Sequence, residues 1–181
     1  MLRLSIIFFL SFFILNSYAG NREKIIEKLN NTSNLSFDFE QNINGKVEIG
    51  NCIIEYPKKI YCKYKKNNKI LVSNGKSLVI KTISSYYLYP LKKTPLNLIL
   101  DKNYLINKIY SLNEKIIDNS YINYTIKENE SNIDIFFDIN SLDLIGWQTT
   151  DIYQNNTLTL LYSVSKNQII KRELFKLPAQ N

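Results

Sequence analysis

The 181-residue chain has no histidine and only two cysteines, Cys52 and Cys62. The usual general base, the usual zinc ligand set and a Cys/His nucleophile are therefore all missing. A hydrolase built from this chain would have to use a carboxylate pair or a Ser/Lys pair. Asp134, Asp138 and Asp143 could be taken as an acidic cluster. They alternate with apolar residues or sit in turns, which places them toward solvent, and they lack the glycine and the terminal glutamate of a calcium loop. The expectation is a protein without catalytic residue, cofactor or metal.

What the cysteines do depends on the compartment, and the N-terminus speaks to that. Arg3 precedes an apolar run from Leu4 to Leu15, and Ser17-Tyr18-Ala19 offers small residues where a signal peptidase inspects the chain. The run is shorter than the roughly 20 residues of a membrane span. Residues 1–19 are expected to be a signal peptide cut after Ala19, with an uncleaved anchor as the other reading. No cysteine stands at or beside position 20, so the mature chain, residues 20–181, is expected to be soluble, exported and not itself lipid-anchored. In an oxidising compartment Cys52 and Cys62 are expected to pair. Strands reversing near Pro57 would set Cys52 opposite Cys62 and Ile54 opposite Ile60, at a separation that a disulfide spans. Two buried free thiols are the alternative.

The elements that must position these residues centre on Ile70 to Leu100. Apolar residues flank Asn74-Gly75, the dipeptide suited to the two positive φ angles of a type I′ hairpin. Thr94-Pro95 then precedes Leu96, Leu98, Ile99 and Leu100. Thr94 is expected to accept a hydrogen bond from the first helical N–H groups, with Pro95 at the first helical position. A hairpin feeding a nearly all-apolar helix implies a hollow in the sheet into which the helix packs. Strand phase is ambiguous from Leu71 to Ile80, because both faces are apolar.

Upstream, Arg22 to Leu29 carries Ile25, Ile26 and Leu29 on one side, which predicts a short amphipathic helix. Leu35, Phe37 and Phe39 alternate with polar residues as in a half-buried strand. Val47 and Ile49 continue into a second strand whose apolar parity switches by Cys52, so a bulge is expected at Gly50-Asn51. Ile60, Cys62 and Tyr64 form the inner side of a third strand, and Tyr86 to Tyr89 another. Residues Tyr104 to Tyr110 read as either helix or strand. Tyr121–Lys127, Asn132–Ile139, Leu142–Tyr153 and Thr157–Val164 read as a meander, with turns at Glu128–Asn132 and Gln154–Asn156. About ten strands with helices near residues 22 and 95 predict one mainly β domain. Its expected form is a strongly curved antiparallel sheet or open barrel, its concave face covered by helices.

Formal net charge is +7, or +6 once Arg3 is removed. The lysines read as a solvated face, and no nucleic-acid-binding motif accompanies them.

The run from Val72 to Ile80 (VSNGKSLVI), Pro90-Leu91, and Lys93 to Leu100 together resemble the signature of the LolA family, periplasmic carriers of outer-membrane lipoproteins. Phe37 to Gln41 (FDFEQ), Gly50 to Pro57 (GNCIIEYP), Leu142 to Trp147 (LDLIGW), Asp151 and Glu173-Leu174-Phe175 extend the likeness, in order, through nearly the whole mature chain. The resemblance implies an incomplete β-barrel with a helical lid over a hydrophobic cavity, and a monomeric periplasmic chaperone. Such a protein accepts triacylated lipoproteins from an inner-membrane ABC transporter and passes them to an outer-membrane receptor. The family carries Arg immediately before the hairpin proline, where this chain has Tyr56, and that Arg is implicated in holding the lid. Tyr56, Pro57 and Ile60 are accordingly the expected positions of lid control and of docking on transporter and receptor. Burying a methylene contributes about 0.8 kcal/mol, so three acyl chains of about fifteen carbons represent on the order of 30 kcal/mol. Such a cargo needs a plain apolar cavity. The candidates to line it are Phe37, Phe39, Ile54, Ile60, Leu78, Ile80, Leu98, Phe137, Trp147 and Leu160. For each taken singly, an ordinary core position is the competing reading. A lipid- or lipoprotein-sensing domain of the same fold is the alternative function.

Overall fold

A computed structural model describes residues 20–128, 131–150 and 155–180. The expected signal peptide, part of each of the two expected meander turns, Tyr153 and Asp151 lie outside the described residues.

Alternation of apolar and polar side chains does what period-two patterning requires. Among the described residues eleven strands pair antiparallel in the order β6-β5-β4-β3-β2-β1-β11-β10-β9-β8-β7. Strands β1 (Asn34–Ile43), β2 (Lys46–Glu55), β3 (Lys59–Tyr64), β4 (Ile70–Asn74), β5 (Ser77–Lys81) and β6 (Tyr86–Pro90) make one half. Strands β7 (Lys115–Ile117), β8 (Tyr121–Glu128), β9 (Ser131–Asp138), β10 (Leu144–Thr150) and β11 (Asn156–Lys166) make the other. The sheet is curved and open, because its edge strands β6 and β7 do not pair with each other. Among the described residues there are three α-helices, α1 (Asn21–Asn30), α2 (Leu96–Ile99) and α3 (Lys102–Ser111). The segment from Tyr104 to Tyr110 is thus helical, with the Asp101 carboxylate accepting the Tyr104 N–H at 3.1 Å as its cap.

Helix α1 buries Ile25, Ile26 and Leu29, as its apolar stripe predicts, and packs on α3. The Arg22 guanidinium donates to the carbonyl of Leu112 at 2.8 Å, tying α1 to the end of α3. In the β7–β10 half, Ile122, Tyr124, Ile126, Ile133, Ile135 and Phe137 are each no more than 1% exposed, so the hollow there is filled.

Three local expectations are corrected. No bulge occurs at Gly50: β1 and β2 pair in unbroken register from Asn34↔Glu55 to Ile43↔Lys46. Val47 and Ile49 simply face outward, 48% and 37% exposed. Gly50 takes the inward position, where a Cβ would stand 2.3 Å from the Lys63 carbonyl oxygen and 2.8 Å from the Phe39 ring. The turn after β4 is not type I′ either, since Gly75 has φ +95° while Asn74 has no positive φ. The Asn74 side chain instead accepts the N–H groups of Lys76 and Ser77, both at 3.0 Å. Lastly, Thr94 does not cap α2 with its side chain. Its hydroxyl donates to the Leu91 carbonyl at 2.8 Å, while its own carbonyl accepts the Asn97 N–H. Pro95 has helical φ and ψ of −57° and −29°.

The doubly apolar stretch from Leu71 to Ile80 has a tertiary cause. Leu71, Ile80 and Leu78 share the concave face with Cys62 and Ile60, whereas Val72 and Val79 pair with each other on the convex face. Both valines are nevertheless buried, as is Phe175 in the C-terminal 3₁₀ turn Arg172–Phe175. That turn packs on β3 and β4 from outside. Tyr86 and Lys81 then hold the tail by donating to the carbonyls of Pro178 and Ala179 at 3.2 and 2.9 Å.

Candidate functional site

In the β1–β6 half the concave face is not filled. A cavity of about 240 Å³ remains between the sheet and the segment Thr94–Ile99. Its floor is Ile60, Cys62, Leu71, Leu78 and Ile80 on β3 to β5, with Cys52 beside them on β2. Cys52 and Cys62 stand directly opposite, their Cα atoms 4.1 Å apart, and are disulfide-bonded. Thr94, Pro95, Leu96 and Ile99 form the roof. Helix α2 packs chiefly on α3 and on the 3₁₀ turn Leu91–Lys93, so this roof is a short element held from its two ends. Phe39 and Trp147 close one wall. Phe39 meets Tyr64 edge-on at 5.0 Å.

One end of the cavity is polar. Tyr64 donates its hydroxyl to Gln41 Oε1 at 3.2 Å, and Gln41 Nε2 donates to the Thr159 hydroxyl at 3.0 Å. Thr149 and Thr157, paired across β10 and β11, continue the same end. Lys69 sits 4.0 Å over the Tyr64 ring and pairs with Glu48. Burial, reinforced by the Glu48 charge, pushes the Tyr64 phenol well above its ordinary range, so it stays a neutral donor. The cavity is therefore an apolar slot with a hydrogen-bonding mouth, and nothing in it pairs a nucleophile with a base.

The roof is fastened at the turn after β2. The Lys58 N–H donates to the Leu100 carbonyl at 2.9 Å, and Lys58 Nζ lies 3.1 Å from the Asp101 carboxylate. Tyr56 donates its N–H to the Ser33 carbonyl at 3.0 Å, while its buried hydroxyl has no protein partner. Burial holds that phenol neutral. Lys102 Nζ lies 5.9 Å from the Tyr56 ring centre and donates to the carbonyls of Asn30 and Thr32 at 3.1 and 2.9 Å. The turn thus joins the end of α1 to the α2–α3 junction.

Of the ten residues read from the sequence as cavity lining, Phe39, Ile60, Leu78, Ile80 and Trp147 line it. The other five do not meet there. Ile54, fully buried, lies in the core beside it, and Phe37 packs edge-on to Trp147 at 6.3 Å. Phe137 belongs to the filled half, 6.0 Å from the Tyr124 ring. Leu98 faces away from the cavity, in a surface groove with Glu128 and Ile133. Leu160 is on the opposite side of the sheet: it pairs with Glu40 and Gly146, and its methyl group covers the space a Gly146 Cβ would need. Ile60 is 2% exposed and offers no outer surface with the roof closed, whereas Pro57 is exposed and Lys58 partly so. Sequence reading passed over Gln41, Thr149, Thr157 and Thr159. Their signal is parity, since each lies two residues from an inward position in its strand, but an apolar pattern does not flag polar residues.

The acidic group has structural work. Asp138 accepts the N–H groups of Asn140 and Ser141, Asp134 accepts the Thr125 hydroxyl, and Asp143 pairs with Lys28 and Lys166.

The profile of a family described as outer membrane lipoprotein carrier protein LolA matches residues 30–178. No curated protein sequence matches the chain. Among solved structures, an uncharacterised conserved protein from Thermus thermophilus superposes with a TM-score of 0.51 at 5% identity, covering 88% of this chain and 95% of its own. That likeness concerns fold alone. A LolA superfamily protein from Nitrosomonas europaea gives 0.43 at 8% identity over 88% and 99% of the two chains. LprF from Mycobacterium bovis gives 0.44 at 11% over 83% and 94%.

Proposed function

Because the chain belongs to the LolA family of outer membrane lipoprotein carrier proteins, we propose that it is an exported carrier whose cavity shields the acyl chains of lipoproteins from water. In this reading triacylated lipoproteins enter from an inner-membrane ABC transporter, cross the periplasm with the protein and leave to an outer-membrane receptor. No covalent chemistry is involved. The observation that carries the reading is the apolar cavity under α2, an unfilled space in a sheet whose other half seals its inward residues on β8 and β9, from Ile122 to Ile126 and from Ile133 to Phe137.

The volume adds a mechanical requirement. Pockets for drug-sized ligands run from about 300 to 1,000 Å³, and this one is about 240 Å³. Three acyl chains therefore demand that the roof move. Lys58 and the Leu100 carbonyl are the natural latch, and Tyr56, standing where the family has Arg, supplies a ring and an unpaired hydroxyl in place of a fork of donors. Release would then require breaking one backbone hydrogen bond and one partly exposed ion pair, a small cost beside the burial of a chain.

The test is loading. Protein mixed with inner-membrane vesicles that bear the transporter, in the presence of ATP, is expected to carry lipoprotein into the supernatant. If the vesicles release none to it while a known carrier collects cargo from the same preparation, the reading falls.

A further inference from the structure

The 45 residues between Glu55 and Asp101 contain ten lysines and no acidic residue. An even spread of the chain's 16 acidic residues over 181 positions would put about four there. The remaining 136 residues hold 13 basic and 16 acidic side chains, so the positive charge of the protein resides in this one stretch. It comprises β3 to β6 and the roof, one contiguous end of the sheet. Lys58 pairs with Asp101, Lys59 with Glu55 and Lys69 with Glu48. Lys63, Lys65, Lys66, Lys76, Lys92 and Lys93 are exposed and make no ion pair among the described residues.

The edge of that same end is apolar. Strand β6 is terminal, and Tyr87, Leu88 and Tyr89 are 52%, 57% and 41% exposed, with Ile83 in the preceding turn at 81%. Tyr87 and Tyr89 stand opposite Ile80 and Leu78, two floor residues of the cavity, so they share its face and extend it to the open edge. Their rings stack at 6.4 Å with an interplanar angle of 16°. Leu88 projects from the other face, opposite Val79. Beyond Pro90 the chain runs through Lys92 and Lys93 directly into the roof.

We propose that the β6 edge, from Ile83 to Lys93, docks on the surface of a bilayer containing anionic phospholipid. Tyrosine, leucine and isoleucine flanked by lysine match the interfacial zone, where amphipathic rings sit at headgroup depth and ammonium groups meet phosphate. The lysines are spread over strand faces and over turns at both ends of the strands, which suits an extended anionic plane better than a single peptide groove. In this orientation Tyr87 and Tyr89, on the same face as the cavity floor, meet the lipid, while the polar end at Gln41, Thr149, Thr157 and Thr159 lies across the sheet from β6. The proposal rests on charge and edge composition and goes beyond the carrier reading.

The experiment uses protein expressed at full length and recovered in the form its host releases, its N-terminus set by intact mass. It is floated with vesicles of pure phosphatidylcholine or with roughly 30 mol% phosphatidylglycerol. Binding is expected to be at least about tenfold stronger on the anionic vesicles and to fall steeply by about 0.5 M NaCl. Each lysine near such a surface contributes about a fivefold factor, so Lys92→Glu with Lys93→Glu should weaken binding at least about 25-fold. Ile83→Ser with Leu88→Ser should weaken it on both vesicle types. Affinity of a fluorescent acyl probe in solution should be unchanged in both variants. No vesicle binding by the parent, equal binding to both vesicles, or a Lys92→Glu, Lys93→Glu variant that binds like the parent overturns the proposal. So does binding of polyglutamate without vesicles, or a salt-sensitive dimer lost in that variant, which would assign the face to an acidic protein or to a second copy. Loss of vesicle binding alone leaves the carrier reading standing, whereas failure of the acyl probe with vesicle binding intact removes the carrier reading and not this one.

Discussion

The two halves of one sheet treat the same inner face in opposite ways. On β8 and β9 the inward residues Ile122, Tyr124, Ile126, Ile133, Ile135 and Phe137 are sealed, and the Tyr124 hydroxyl donates to Glu114 at 3.2 Å; burial, reinforced by the Glu114 carboxylate, pushes its pKa up to about 12. On β3 to β5 the inward residues are equally apolar, yet a four-residue helix covers them and leaves a cavity. The difference lies in what is laid over the sheet. Two ten-residue helices, α1 and α3, each present three buried apolar side chains, whereas α2 buries Ile99 alone. One half is built for stability and the other for vacancy.

Truncation should separate them most strongly. Ile135→Ala removes methyl groups from a packed interior and is expected to cost about 2–5 kcal/mol. Ile80→Ala borders space already empty and should cost no more than about 1.5 kcal/mol. Urea denaturation of both variants measures the contrast, and equal losses would mean that the cavity collapses in solution.

The disulfide braces the vacant half, where packing is thinnest. Replacing Cys52 and Cys62 by alanine is expected to cost about 2–3 kcal/mol for a loop of this size. Thermal melts of oxidised parent and double variant report it, and free thiols titrating on unreduced protein would contradict the bond itself.

Filling should do the reverse of truncation. Ile80→Trp has room to enter the cavity, so stability should change by about 1 kcal/mol or less, against about 1–3 kcal/mol for overpacking a sealed site such as Ile126→Trp. Binding of an acyl probe should fall about tenfold for Ile80→Trp and be unchanged for a folded Ile126→Trp. Fluorescence titration reads both.

The smallest effect is electrostatic. Burial disfavours ionisation of Asp143, but Lys166 and Lys28 outweigh it and hold the carboxyl below its usual range. A depressed folded pKa means that the contribution is present above the unfolded value of about 3.9 and is lost as pH falls through the folded one. Asp143→Asn should cost at most about 1 kcal/mol at neutral pH. The difference from the parent should vanish below the folded pKa, as acid titration of stability would show.

The same contrast explains what was legible in the sequence. Period-two alternation placed β1, β3 and the Cys52–Cys62 pair correctly, because those residues answer to local geometry. Leu160 and Leu98 were misjudged because apolar character alone does not say which face is covered, and here Gly146 and the β9 side of the roof accept them. Val72 and Val79 could not be phased, since both are buried on the convex face, where the turn Arg172–Phe175 that packs on β3 and β4 comes from about a hundred residues away. Gly50 mimicked a bulge by supplying an inward position with no side chain. The polar mouth was hidden for the opposite reason: Gln41, Thr157 and Thr159 occupy inward positions that an apolar pattern does not flag.

The central claim, that acyl chains enter the vacant half and not the sealed one, is tested most directly by photocrosslinking. A fatty-acyl chain with a terminal diazirine is bound, irradiated, and its attachment sites are mapped by peptide mass spectrometry. Adducts should concentrate on Leu71, Leu78, Ile80 and Leu96. Adducts confined to β8 and β9 or to the convex face, or none above the level of a denatured control, would contradict the account.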